Sequence, residues 1–119
     1  MSDVVNHPSH YTQAGVPIEP IDVIRWAPFD LGNCLKYILR AGHKGDELTD
    51  WRKAYRYFLW TVESYEQHPD HYDWFFETHW LYLRKFNVFR RFKNDTSLMV
   101  ICAIGAFIKS NIDRLEGKQ

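Results

Sequence analysis

The sequence has 119 residues and a mass of 14.3 kDa, the size of one domain and enough to bury a core without disulfide bonds. It is 45% hydrophobic and 17% aromatic, with 6 Gly and 5 Pro, which excludes a disordered, collagen-like or low-complexity chain. Fifteen Lys and Arg balance fifteen Asp and Glu, which excludes a strongly basic nucleic-acid binder and an acidic tail protein.

The zero net charge is a sum over blocks of opposite sign. Residues 36–56 hold six bases and three acids, residues 57–83 hold five acids and no Lys or Arg, and residues 84–93 hold five bases and no acids. A chain with no net charge can therefore still carry a local anion site, and residues 36–56 are where the sequence predicts one.

The N-terminus lacks the basic and then apolar pattern of a signal peptide, and the longest apolar run, 98–108, is shorter than the roughly 20 residues of a membrane span. Cys34 and Cys102 both lie in apolar stretches of helical period, so we expect them to be reduced core residues. The sequence predicts a cytoplasmic protein with no membrane partner.

Residues 1–20 hold three prolines and no helical period, which predicts an irregular N-terminal arm. A short helix is expected over 20–26 with Pro28 ending it, and a second over about 30–41 that stops at Gly42. A long helix over 50–67, with Thr49 as its N-cap, follows from apolar residues repeating at spacings of three and four.

Pro69 begins an aromatic-rich helix over about 70–86, and a polar turn at 93–95 precedes a last helix capped by Thr96 or Ser97 and extending to Leu115. No stretch shows sustained strand alternation. The sequence therefore predicts an all-α single domain over 1–119, a compact helical bundle of four to five helices.

Motifs follow one another in the first half of the chain. They are Asn6-His7-Pro8-Ser9-His10-Tyr11, Ile21-Asp22-Val23-Ile24, Lys36-Tyr37-Ile38-Leu39-Arg40-Ala41-Gly42 and Asp50-Trp51-Arg52-Lys53-Ala54-Tyr55. Over about residues 5–66 the sequence resembles a small bacteriophage protein family of formerly unknown function that includes a T-odd coliphage nucleotide kinase. His43 and Trp51 depart from the family's pattern, which has Lys and an aliphatic residue there. Residues 67–119 have no assigned role.

The resemblance implies a nucleotide-binding protein of the host cytoplasm that transfers phosphate to a (deoxy)nucleoside monophosphate without a P-loop. In that interpretation His7, His10 and Arg40 are catalytic. The implied substrate-binding residues are Asn6, Ser9, Tyr11, Asn33, Lys36, Arg40, His43 and Lys44.

The residues themselves support part of this interpretation. Lys36 and Arg40 are i, i+4 neighbours on one helix face, and Lys44 lies just beyond the helix end, which suits phosphate oxygens. Alternatively, these cations complement the dipole at the helix C-terminus. His7 and His10 can donate to phosphate or act as bases, and Tyr11 can stack on a base; alternatively, the imidazoles cap helix ends and hold the arm down.

Other chemistry is disfavoured by the sequence. There is no P-loop motif, and the pairs Glu63/Glu66 and Asp70/Asp73 are too close together, with Pro69 between them, for a magnesium site. We therefore expect no metal and no cofactor. The basic and aromatic segment 84–93 is interpreted as a bend between two helices whose phenylalanines join the core, so nucleic acid is not an expected partner.

Three functions remain open on the sequence. The first is the phosphotransferase, and the second is a non-catalytic binder that sequesters a host nucleotide signal as a counter-defence. The third is a protein or nucleic-acid interaction module that uses the aromatic C-terminal half. A homo-oligomer is also expected, because a small bundle with five Trp can scarcely hide its aromatic surface.

Overall fold

The computed structural model describes residues 19–84, 89 and 96–117. These residues form five helices: α1 Pro20–Ile24, α2 Phe29–Arg40, α3 Glu47–Gln67, α4 Pro69–Leu83 and α5 Ser97–Leu115. They contain no strand, which confirms the predicted all-α bundle. Of the predicted arm, residues 1–20, the first eighteen lie outside this part of the chain, and Pro20 begins α1. Among the residues described, no helix combines the length and the apolar character needed to cross a membrane.

Local chemistry explains where the helices begin and end. Gly42 ends α2 as predicted. Its φ of 84° is a left-handed backbone conformation, which glycine adopts without steric cost because it has no Cβ. The predicted cap of α3 at Thr49 is wrong by three residues. Asp46 is the N-cap, and its carboxylate accepts both the Thr49 amide, at 3.0 Å, and the Thr49 hydroxyl. Thr96 caps α5 as predicted.

α2 and α3 form an antiparallel hairpin, the most extensive helix pair in the described chain. At one end the Ser64 hydroxyl donates to Asp30 at 2.7 Å, and at the other Arg40 contacts Asp50. The tight Gly42 to Gly45 turn connects the end of α2 to the start of α3 and returns the chain so that the two helices pack side by side.

α5 crosses the outer side of α3, also antiparallel to it. The Trp51 ring meets Phe107 edge to face, with ring centres 5.5 Å apart, and its Nε1 donates to Glu47 at 3.0 Å. Arg114 pairs with the same Glu47 carboxylate at 2.8 Å. These contacts hold the beginning of α3 against the end of α5.

The core lies between the α2–α3 hairpin, α4 and α5, and α4 supplies most of its aromatic rings. Cys34 is buried in it as predicted, and this burial raises the pKa of the Cys34 thiol to about 12. The expectation for Cys102 is wrong: this residue is exposed on the outer face of α5. Phe89 is fully buried, as expected for a core phenylalanine of the segment 84–93, of which the structure describes only Arg84 and Phe89.

Candidate functional site

The predicted site residues fall into a described and an undescribed group. Asn33, Lys36 and Arg40 lie on α2, and His43 and Lys44 lie in the turn that follows it. The other predicted residues lie outside the described part of the chain: Asn6, His7, Ser9, His10 and Tyr11.

A cavity of about 470 Å³ opens between α1 and α2, and we call it the α1–α2 cleft. Its volume falls within the range of small-molecule sites. Its apolar walls come from Ile21 and Ile24 on α1 and from Phe29 and Leu39 on α2. Phe29 is 75% exposed and meets Tyr57 edge to face with ring centres 6.4 Å apart, so a large aromatic surface borders the cleft.

The cleft carries a small number of polar groups. The Asn33 Nδ2 donates to the Phe29 carbonyl at 3.0 Å, which fixes the amide and leaves Oδ1 as its acceptor for a ligand. Lys36 lines the cleft one helical turn further along α2 and is exposed. Arg25 also lines it, with its guanidinium 5.0 Å from the centre of the Trp26 ring. The cleft thus combines apolar walls with an amide and two cations.

Arg40 does not join Lys36 in this cleft. Its Nε lies 3.4 Å from Oδ2 of Asp50, a carboxylate that is only 4% exposed. That buried oxygen accepts no hydrogen bond within the described residues, so Arg40 is the cation that offsets its charge. The Arg40 Nη2 also lies against Gly45, where an added Cβ would approach it to 3.3 Å. Arg40 is therefore engaged in closing the α2–α3 hairpin.

His43 and Lys44 are both exposed in the turn, and neither lines the α1–α2 cleft. The His43 backbone amide donates to the Arg40 carbonyl at 2.9 Å, which forms a tight turn directly after the end of α2. Of the five described residues of the predicted site, the structure thus brings Asn33 and Lys36 together and places Arg40, His43 and Lys44 apart from them.

A second concave surface lies on the exposed side of the α2–α3 hairpin, and we call it the α3 basic groove. It has a volume of about 470 Å³ and is lined by Tyr37, Thr49, Arg52, Lys53, Arg56, Tyr57 and Trp60. Its three cations, Arg52, Lys53 and Arg56, belong to residues 36–56, where the excess of bases predicted an anion site. Its aromatic residues Tyr57 and Trp60 were not predicted as site residues, although positions 52, 53, 56, 57 and 60 repeat at the spacing of one helix face.

The acidic pairs of the sequence do not assemble into a binding site. Glu63, Glu66 and Asp70 are exposed around the junction of α3 and α4. Within residues 19–84, 89 and 96–117, no group of three or more His, Cys, Asp or Glu is arranged to hold a metal ion.

Comparison with known proteins gives one match. Residues 5–58 match the model of DUF3310, a family described as a protein of unknown function. The matched segment includes every residue of the predicted site and extends from before α1 into α3. No curated protein and no solved structure gave a match. The similarity thus supports a family resemblance over this half of the chain and carries no activity with it.

Proposed function

We propose that this protein binds a nucleotide in the α1–α2 cleft. The observation that carries the proposal is the composition of the cleft: apolar and aromatic walls with Asn33 and Lys36 one helical turn apart at its side. A nucleotide has the matching chemistry, a planar base to place against apolar surface and a phosphate for a cation.

Each part of a nucleotide has a partner in the cleft. The exposed Phe29 ring offers a stacking surface for the base, beside the aliphatic side chain of Ile21. The Oδ1 of Asn33 is a hydrogen-bond acceptor for an amino or imino group of the base, since the bond from Nδ2 to the Phe29 carbonyl holds the amide in this orientation. The Lys36 ammonium is the point charge for the phosphate.

Binding without phosphate transfer is the activity that the described residues support best. The resemblance implies that Arg40 is catalytic, but the Arg40 guanidinium contacts the buried Asp50 carboxylate and does not line the cleft. Phosphoryl transfer stays a prediction, because it rests on Arg40 and on two histidines outside the described residues. A role as a sequestering binder follows directly from the proposal.

The test is incubation with a panel of nucleoside mono-, di- and triphosphates, with and without EDTA, followed by analysis of both retained ligand and product. We expect a nucleotide that is retained and recovered intact. Lys36→Gln is expected to weaken its binding by roughly 10- to 100-fold, the loss of one charge-assisted hydrogen bond. Lys109→Gln, at an exposed cation on α5, is the matched control and is expected to bind normally.

Two results would contradict the proposal. One is the absence of any retained nucleotide, and the other is equal affinity for the wild type and Lys36→Gln. A new phosphorylated product would instead establish the phosphotransferase that the resemblance implies.

A further inference from the structure

The α3 basic groove is elongated along the axis of α3. Its α3 residues extend from Thr49 to Trp60, which corresponds to about 16 Å along the helix axis. It continues into a second hollow of about 400 Å³ that shares Arg52, Arg56 and Trp60 and adds Tyr55 and Leu59. A surface of this length exceeds what a single phosphate requires and suits an extended chain.

Three aromatic rings form a connected series along the groove. Tyr37 of α2 and Tyr57 of α3 stack with ring centres 6.0 Å apart and planes within 13°, which holds each ring in place. Trp60 meets Tyr57 edge to face at 5.4 Å and is 44% exposed. Rings that are fixed by their neighbours and still accessible are the platforms on which unpaired bases stack.

Three cations accompany these rings on the same helix face. Lys53 lies with its Nζ 5.5 Å from the centre of the Tyr37 ring. Arg52 contacts Glu116 of α5 at 2.6 Å, and Arg56 has no ion pair within the described residues. Lys53 and Arg56 therefore have charge to offer to a phosphate backbone that runs beside the rings.

We propose that the α3 basic groove binds single-stranded nucleic acid. Alternating cations and aromatic rings serve a ligand that alternates phosphates with exposed planar bases. A duplex presents the same phosphates but keeps its bases stacked inside, so Trp60 would have no partner. An acidic polypeptide would engage the cations and leave the rings unused. Nucleic acid was not an expected partner, because the chain has no net charge and segment 84–93 was interpreted as a bend, but the groove concentrates positive charge on one face.

The experiment measures binding of a labelled oligothymidylate to the full chain by fluorescence anisotropy, over a series of salt concentrations. We expect binding that weakens as salt rises, and a clear preference over a duplex of the same length and over poly-glutamate. Trp60→Leu is expected to weaken binding on the order of tenfold, the effect of losing one base-stacking contact. Arg56→Gln is expected to weaken binding and to reduce the salt slope by about one.

Matched controls come from exposed residues elsewhere. Trp74→Leu removes a tryptophan that is 46% exposed on α4, and Lys109→Gln removes an exposed cation from α5; both are expected to bind normally. Circular dichroism confirms that each variant is folded. The proposal is overturned if the oligothymidylate does not bind, if the duplex or poly-glutamate binds equally well, or if Trp74→Leu weakens binding as much as Trp60→Leu.

Discussion

Arg40 illustrates how one residue can satisfy a motif and a structural role at the same time. Its side chain is 44% exposed, so it has the access expected of a phosphate-binding group, yet its Nε contacts a carboxylate that is almost fully buried. Removing the cation would leave the buried Asp50 oxygen with neither an ion pair nor a hydrogen bond. A loss of activity on mutating Arg40 can therefore result from a destabilised α2–α3 hairpin and not from the loss of a catalytic group.

We predict that Arg40→Ala lowers the free energy of unfolding by about 1–3 kcal/mol, the cost of leaving a buried acceptor unsatisfied. Urea denaturation measures this loss, with Lys36→Ala as the control, since the Lys36 side chain is exposed on the same helix. The double variant Arg40→Ala/Asp50→Asn is expected to recover part of the loss, because the neutral amide needs no cation. Unchanged stability together with a 10²–10³-fold loss of phosphotransfer would instead support the catalytic assignment.

At the scale of elements, periodicity and breakers were enough to predict the five helices of the described residues. α2, α3 and α5 follow apolar spacings of three and four, and Gly42 and Pro69 mark boundaries that the structure retains. The start of α3 was misplaced because Asp46 and Thr49 are both good caps, and the sequence does not reveal which one accepts the other's hydrogen bonds. The exposure of Cys102 depends on how α5 is rotated against α3, which an apolar stretch leaves open.

The crossing of α3 and α5 depends on a glycine. An added Cβ at Gly105 would clash with Cζ of Phe58, so the tip of the Phe58 ring occupies the space that any other side chain would need. We predict that Gly105→Ala lowers the free energy of unfolding by about 1–3 kcal/mol, because the overpacked ring must move and this outweighs the better helix propensity of alanine.

A double-mutant cycle with Phe58→Leu tests this contact. The smaller leucine is expected to make room for the alanine, so Gly105→Ala should cost much less in the Phe58→Leu background. Thermal unfolding of the four proteins provides the values. An equal cost in both backgrounds would show that the close approach of Phe58 does not limit residue 105.

At the scale of the whole molecule, the residues of the candidate site were predicted less completely from the sequence than the bounds of the helices. The sequence identified Asn33 and Lys36, which share the α1–α2 cleft, and it identified the charge excess around the α3 basic groove. It could not show that Arg40 turns towards Asp50, because this pairing depends on the antiparallel alignment of α2 with α3. The expected homo-oligomer stays a prediction, and large exposed side chains such as Phe29 and Leu81 accord with it.

The stability of the whole bundle is expected to depend on pH through His79. This imidazole is buried in α4, packs against Trp74 and Phe75, and its Nδ1 is 3.1 Å from the Phe75 carbonyl. Burial lowers the pKa of His79 below its ordinary value of about 6.5, and the bond to Phe75 only partly offsets this. The unfolded chain therefore binds a proton more readily than the folded protein, so stability is full above about pH 6.5 and is lost as the pH falls through it.

Denaturation between about pH 7.5 and 5.5 should show this loss, with a slope contributed by one residue of at most about 1.4 kcal/mol per pH unit. His79→Asn keeps a donor for the Phe75 carbonyl but does not titrate, so we expect a flatter pH profile even though the smaller side chain lowers stability overall. His71→Asn, at an exposed histidine of the same helix, is expected to keep the wild-type slope. If His79→Asn kept that slope as well, the acid sensitivity of the fold would have to come from groups other than this buried imidazole.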